Sequence, residues 1–431
     1  MSDATVLRGG RVVAADGEYD ADVLVVGEQI AAVGAVDAPA GAEVVDVSGC
    51  LVLPGLIDNH THMSMPFMGL RSTDDYDTGT QAAAAGGVTC IVDFAIQQEP
   101  DGLRSALEEW QGRAAGAAHV DYGFHMAITN ASDGAIEEMG AMVEAGVASF
   151  KLFMAYKGAL MVRDDELLAA MERARDLGAL TMVHAENGDV IDLLVTRALR
   201  DGHTAAIHHA LTRPEMVEAE ATGRAARLAE HAGAPLFVVH VTCAAAAAEI
   251  EAAQQRGAPV SGETCTQYLV NTIDDLRRPG VEGCRYICSP PLRDASNHSA
   301  LWDYVARGVL ESVSTDHCPF GDEQKARGLD DFSLVPNGLP AIQHRLAKLW
   351  DEGVVGGQIT PSQLVDRDRQ LRELLAQPRP RVAPVLRPGQ APRAGGPAEA
   401  LVDLGEVGQD GVRVDAEAHA GTAARVTARG T

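Results

Sequence analysis

Two rhythms of apolar and polar positions divide the chain. In residues 1–52, Val and Ile alternate with polar residues between Gly and Asp clusters, over 6–13, 22–26, 29–33 and 42–47. Period-two alternation marks half-buried strands, so this stretch predicts a β meander or one part of a small β-sandwich. After Leu53 the apolar runs become continuous, as in strands covered on both faces, and helical stretches separate them. Strands are expected around Ile57 and over 88–94, 120–128, 149–154, 180–186, 236–242, 260–265 and 313–316, with helices such as 133–145, 164–177 and 244–256 between them. Eight strands alternating with helices over 53–365 predict a (β/α)8 TIM barrel. A doubly wound open sheet is the competing fold, but no Gly-rich phosphate-binding turn follows the first strand.

Composition narrows the function classes. A formal charge of -26 over 431 residues argues against non-specific nucleic-acid binding. The N-terminus has neither a basic nor an apolar leader, and no later run approaches a membrane span. Seven cysteines, odd in number and scattered, favour a reducing cytoplasmic setting over a disulfide framework.

The candidate chemistry sits at strand ends. In Gly55-Leu56-Ile57-Asp58-Asn59-His60-Thr61-His62 an apolar run ends in a carboxylate and two imidazoles on one strand face. Lys151, His184, His240 and Asp316 each lie in or at the C-terminal part of an expected strand, the barrel face on which active sites are built. Singly, each has an ordinary reading: a hydrogen-bonded core histidine, a helix cap for Asp316, a snorkelling stem for Lys151. Jointly they form a ligand set. Four imidazoles and a carboxylate can hold two divalent ions, binding zinc, manganese or cobalt alike, and two close dications need a bridging anion. A protonated lysine has no lone pair, but burial lowers its pKa, and the free amine can add carbon dioxide to become a bridging carbamate. Two ions about 3.5–4 Å apart then share a water whose pKa falls to about 7. Asp316 is placed to take its proton and hand it to a leaving nitrogen.

With these residues assembled, the chain resembles the dihydropyrimidinase and hydantoinase family of the cyclic amidohydrolases. The similarity runs to about Val365. It is carried by the His60/His62 segment, Lys151-Leu152-Phe153-Met154-Ala155-Tyr156-Lys157-Gly158, Gly262-Glu263-Thr264-Cys265, Cys288-Ser289-Pro290-Pro291-Leu292-Arg293, Thr315-Asp316-His317-Cys318 and Pro336-Asn337-Gly338-Leu339-Pro340. The resemblance implies two Zn2+, or other divalent ions, with His60, His62 and Asp316 on one, His184 and His240 on the other, and carbamylated Lys151 between them. It further implies that Asp58 orients the histidines, that Tyr156 donates to the oxyanion, and that Ser289 and Asn337 grip the ring imide largely through backbone groups. The substrate would be a small cyclic ureide opened to an N-carbamoyl amino acid, and relatives of this kind are commonly homotetramers. Two other readings stand beside it. One is an inactive scaffold like the collapsin-response mediators; the other is a related binuclear hydrolase such as an allantoinase, dihydroorotase or phosphotriesterase-like enzyme. His208 and His209, in a polar helical connection, are expected to face solvent. His317 is expected to point away from the site.

The C-terminal segment departs from the family. No Phe, Tyr or Trp follows Trp350 and no Lys follows Lys348, while Arg, Pro, Ala and Gly dominate 366–431. The hydrophobic strands that would complete the N-terminal sandwich are not evident, and this composition predicts low order. A reading-frame shift near Val365 would account for the change. Sequencing the gene tests it: family-like strands should reappear in another frame, and their absence from all frames would exclude a shift.

Overall fold

The computed structural model describes residues 4–98, 102–375, 401–403 and 425–427. The N-terminal stretch forms β1 (Ala4–Ala14), β2 (Gly17–Val26), β3 (Gln29–Gly34), β4 (Glu43–Asp46) and β5 (Leu51–Val52). β1 pairs antiparallel with β2 and β2 with β3, as a meander requires, whereas β4 and β5 return parallel to β1. Leu7, Val12, Val23, Val47, Cys50 and Val52 form a small core of their own beneath this sheet. Ile30, Val33 and Val44 remain exposed.

The barrel follows the predicted alternation. Its strands are β6 (Leu56–Thr61) and, after a short hairpin of β7 (Pro66–Phe67) and β8 (Leu70–Arg71), β9 (Val88–Ile96), β10 (Asp121–Ala127), β11 (Ser149–Phe153), β12 (Leu180–His184), β13 (Leu236–Val238), β14 (Val260–Cys265) and β15 (Ser312–Ser314). They lie in the order β15-β14-β13-β12-β11-β10-β9-β6, every adjacent pair parallel. Helices including Asp133–Glu144, Asp164–Asp176 and Ala244–Gln255 fall within a residue of their expected bounds. Among the described residues no helix is long and apolar enough to cross a membrane.

Several strands end earlier than predicted, two of them for a backbone reason. β13 stops at Val238 because His240 has φ +44°, and β15 stops at Ser314 because Asp316 has φ +50°. Tyr156, beyond β11, sits at φ +66°. Left-handed backbone is costly for residues with a Cβ and gathers at functional sites, where surrounding structure enforces it.

The seam between β15 and β6 is closed at both ends. Toward the C-terminal ends of the strands, His62 N–H donates to His317 O at 2.9 Å. At the opposite end, buried Arg345 donates to Val313 O at 2.8 Å and Ile57 O at 3.0 Å. Its guanidinium also pairs with Asp368 at 2.7 Å, and Asp368 accepts the Ile57 N–H at 2.9 Å. Composition changes at Asp366, yet helix Pro361–Leu375 runs across that point and supplies this pair. Farther on, two strands that the sequence did not suggest, β16 (Leu401–Asp403) and β17 (Arg425–Thr427), extend the N-terminal sheet, with β16 antiparallel to β5. The remainder of the predicted low-order segment lies outside the described residues.

Removing one partner of a buried pair strands the other charge. Asp368→Ala is therefore expected to lower the unfolding free energy by about 3–5 kcal/mol in urea denaturation. A loss below about 1 kcal/mol would mean the seam does not depend on this pair.

Candidate active site

The strand ends bring the predicted ligands together. His60 Nε2 and His62 Nε2 lie 3.2 and 3.1 Å from the same oxygen of Asp316, Oδ1. Donor atoms of these three residues all fall within 4.8 Å of one another, a spacing suited to one shared cation. Lys151 Nζ is 2.9 Å from His60 Nε2, fully buried, with the Phe94 ring 4.3 Å away. On the far side, His184 Nδ1 and His240 Nε2 face each other at 2.9 Å, and the His240 ring stacks on His60 with centroids 5.4 Å apart. Tyr156 packs over His184 at 5.1 Å. Asn337 Nδ2 donates to Ser289 Oγ at 3.0 Å, which ties the two side chains to each other.

Burial sets the protonation states. It pushes His60 and His240 well below the ordinary imidazole pKa, with Lys151 adding to the effect, and lowers His62 as well. Neutral rings keep a lone pair to offer. Lys151 is lowered to about 8 by burial, against the pull of Asp316 and Glu263. Burial works to raise Asp316, but His60, His62 and Lys151 outweigh it and hold the carboxyl below its usual range.

Two buried carboxylates fix which lone pair each ring presents. Glu263, on β14, lies 2.5 Å from His60 Nδ1 and accepts from Asn59 Nδ2 at 2.7 Å. Glu186 lies 2.8 Å from His184 Nε2. A proton held at Nδ1 of His60 leaves Nε2 free toward Asp316, and one at Nε2 of His184 leaves Nδ1 free toward His240. These donors therefore suit divalent cations: imidazole nitrogens and an ionised carboxylate converge, and the outward nitrogens of His60 and His184 are tethered, while Nδ1 of His62 and of His240 are buried without a hydrogen-bond partner among the described residues.

Two sequence expectations, those for Asp58 and His209, need correction. Asp58 does not touch an imidazole; it accepts from Thr315 Oγ1 at 2.6 Å and from the His60 backbone N–H at 3.2 Å, bracing β6 against the turn that carries Asp316. The orienting role passes to Glu263 and Glu186, whose types and strand-end positions were the available signal. His209 is buried, with Nε2 3.4 Å from Ser289 Oγ, because its short helix Ile207–Leu211 packs inward. His208 is only partly covered. His317 does point away: Nδ1 accepts from Ala341 N–H at 3.1 Å and Nε2 meets Asp74 at 2.9 Å. Cys318 is buried beside the site with its thiol pushed well up, first by burial and then by Asp316, which makes it a poor nucleophile.

This geometry agrees with what the chain is similar to. Residues 51–365 match the amidohydrolase family. A D-hydantoinase of Geobacillus stearothermophilus is 47% identical over 363 residues, 84% of this chain and 77% of the relative. The chain belongs to the amidohydrolase family, among its hydantoinases and dihydropyrimidinases. A dihydropyrimidinase of Arabidopsis thaliana is 42% identical, over 84% of this chain and 69% of its own length. Among solved structures, the dihydropyrimidinase from Brevibacillus agri superposes with TM-score 0.83 at 47% identity, covering 84% of this chain and 79% of that one. The L-hydantoinase from Arthrobacter aurescens reaches TM-score 0.79 at 28% identity, over 87% and 83%. The barrel of this hydantoinase-family chain thus brings together the residues expected as ligands.

Glu263→Gln keeps the shape but weakens the acceptor that tethers His60. Loss of such a partner typically costs 10–100-fold in metal affinity, so titration calorimetry with Zn2+ should register a drop of about that size. Unchanged affinity would show that His60 needs no tether.

Proposed function

We propose that this chain hydrolyses the cyclic amide bond of hydantoins or dihydropyrimidines, releasing N-carbamoyl amino acids, with two divalent ions, zinc in the first instance, bridged by carbamylated Lys151. The carrying observation is the convergence of His60, His62, His184, His240, Asp316 and Lys151 in one buried cluster. His60, His62 and Asp316 would hold one ion, His184 and His240 the other. The ions would supply a water acidic enough to ionise near neutral pH. An amine with pKa near 8 has a sizeable free-base fraction at neutral pH, which is the form that takes up carbon dioxide. Retention of every ligand position sets the chain apart from an inactive scaffold.

The chain's own groups divide the remaining work. Burial, reinforced by Glu186, raises the Tyr156 phenol far above neutrality, so its O–H stays available to donate to the carbonyl oxygen as charge develops there. Asp316 engages both imidazoles through Oδ1, which leaves Oδ2 to receive a proton. A carboxylate held so low is a weak base, so it keeps the proton only in transit to the departing ring nitrogen. Backbone groups at Ser289 and Asn337 would hold the imide. Relatives above 40% identity include several D-hydantoinases, which favours D-configured products. The homotetramer and the cytoplasmic setting inferred from sequence form part of the same proposal.

Turnover of dihydrouracil and a 5-substituted hydantoin, read as N-carbamoyl product, tests this reading. Tyr156→Phe should lower kcat by about 10²–10³ with bound metal retained. Failure to open either ring by metal-loaded protein would overturn the assignment.

A further inference from the structure

Lys325 has no role in the chemistry above, and nothing in the sequence singles it out. It ends the helical turn Asp322–Lys325 and is 1% exposed. A buried ammonium ordinarily lies against a carboxylate; among the described residues Lys325 forms no ion pair. All three of its protons go to backbone carbonyls instead: Ile287 O at 2.8 Å, Pro336 O at 2.8 Å and Gly338 O at 2.9 Å.

Those carbonyls flank the two residues expected to grip substrate. Ile287 precedes Cys288-Ser289, and Pro336 and Gly338 bracket Asn337. The Ile287 carbonyl also receives the Gly338 N–H at 3.0 Å, so one cation pins two loops at their point of contact. The approach is close: a Cβ on Gly338, whose φ is +142°, would fall 2.1 Å from Cys318 O. Each clamped carbonyl belongs to a peptide whose N–H lies on the next residue. The Pro336 carbonyl shares its peptide with the N–H of Asn337, and among the described residues that N–H meets no protein acceptor. A cation on the carbonyl polarises the peptide and strengthens its N–H as a donor.

We propose that Lys325 is a positioning residue for substrate: it locks the Ser289 and Asn337 backbones in register and sharpens the Asn337 N–H as a donor to a ring carbonyl oxygen. The inference rests on the proposed cyclic-amide substrate. It places a specificity determinant in a side chain that touches no substrate atom.

The clamp carries a pH signature. Burial lowers Lys325 to about 8, with the thiols of Cys288, Cys318 and Cys284 pulling it back up. Burial pushes those thiols up, Cys288 to about 12, and keeps nearby His209 well below the ordinary imidazole value. Of the groups facing Lys325, the ammonium alone therefore changes state between pH 7 and 9. Its loss leaves two donors for three carbonyls.

The test uses metal-loaded full-length protein and dihydrouracil. In Lys325→Met, KM should rise about tenfold or more while bound metal is unchanged and kcat moves less. In the wild type, KM should climb as pH passes 8, and Lys325→Arg, which keeps its charge, should lose that step. A folded Lys325→Met with wild-type KM overturns the inference. If that variant does not fold, a flat wild-type KM from pH 7 to 9 overturns it. Wild-type turnover itself decides the separate question of whether the cyclic-amide reading holds.

Discussion

Four imidazoles, a lysine amine and a carboxylate meet in one largely buried space, and that crowding is the constraint around which the barrel is arranged. With every ring charged, such a cluster would be prohibitively unfavourable to bury; with its rings correctly oriented around an ionised Asp316, it is a set of lone pairs aimed inward. Orientation is what the surrounding fold provides. Glu263 holds one nitrogen of His60 and Glu186 one nitrogen of His184, so each ring turns its other nitrogen toward the centre. The left-handed backbone at His240, Asp316 and Tyr156 re-aims those side chains after their strands have ended. Local strain of this kind persists because the packed barrel beneath over-determines it.

The alternation of apolar runs and helices was legible because a parallel barrel buries both faces of every strand. The candidate ligands were legible because titratable residues at the ends of apolar strands are conspicuous. What escaped notice acts through space rather than along the chain. Glu263 reaches His60 across 203 positions, and its role appears only when β14 and β6 are placed in the same barrel. His209 looked polar and exposed because a short inward-packing helix has no periodicity to read. Lys325 stands among ordinary surface residues, and only the convergence of three carbonyls identifies it. Asp58 was misread because a carboxylate two residues from a ligand can serve the backbone as well as the ring.

The C-terminal change in composition falls within a helix, Pro361–Leu375, rather than at the end of one. Val365 marks where family resemblance stops, yet Asp368 still closes the barrel seam through Arg345 and Ile57. The barrel is therefore completed a few residues into the altered segment, whereas the small N-terminal sheet keeps apolar side chains such as Ile30 and Val44 exposed. Site and scaffold stability are thereby partly separable. Every proposed ligand belongs to the closed barrel.

Metal stoichiometry, measured by plasma mass spectrometry after reconstitution with and without bicarbonate, addresses the central claim most directly. Two divalent ions per chain are expected with bicarbonate, fewer without it, and fewer again in Lys151→Met. One ion per chain under all conditions, or two that persist in Lys151→Met, would contradict a pair bridged by the carbamylated lysine.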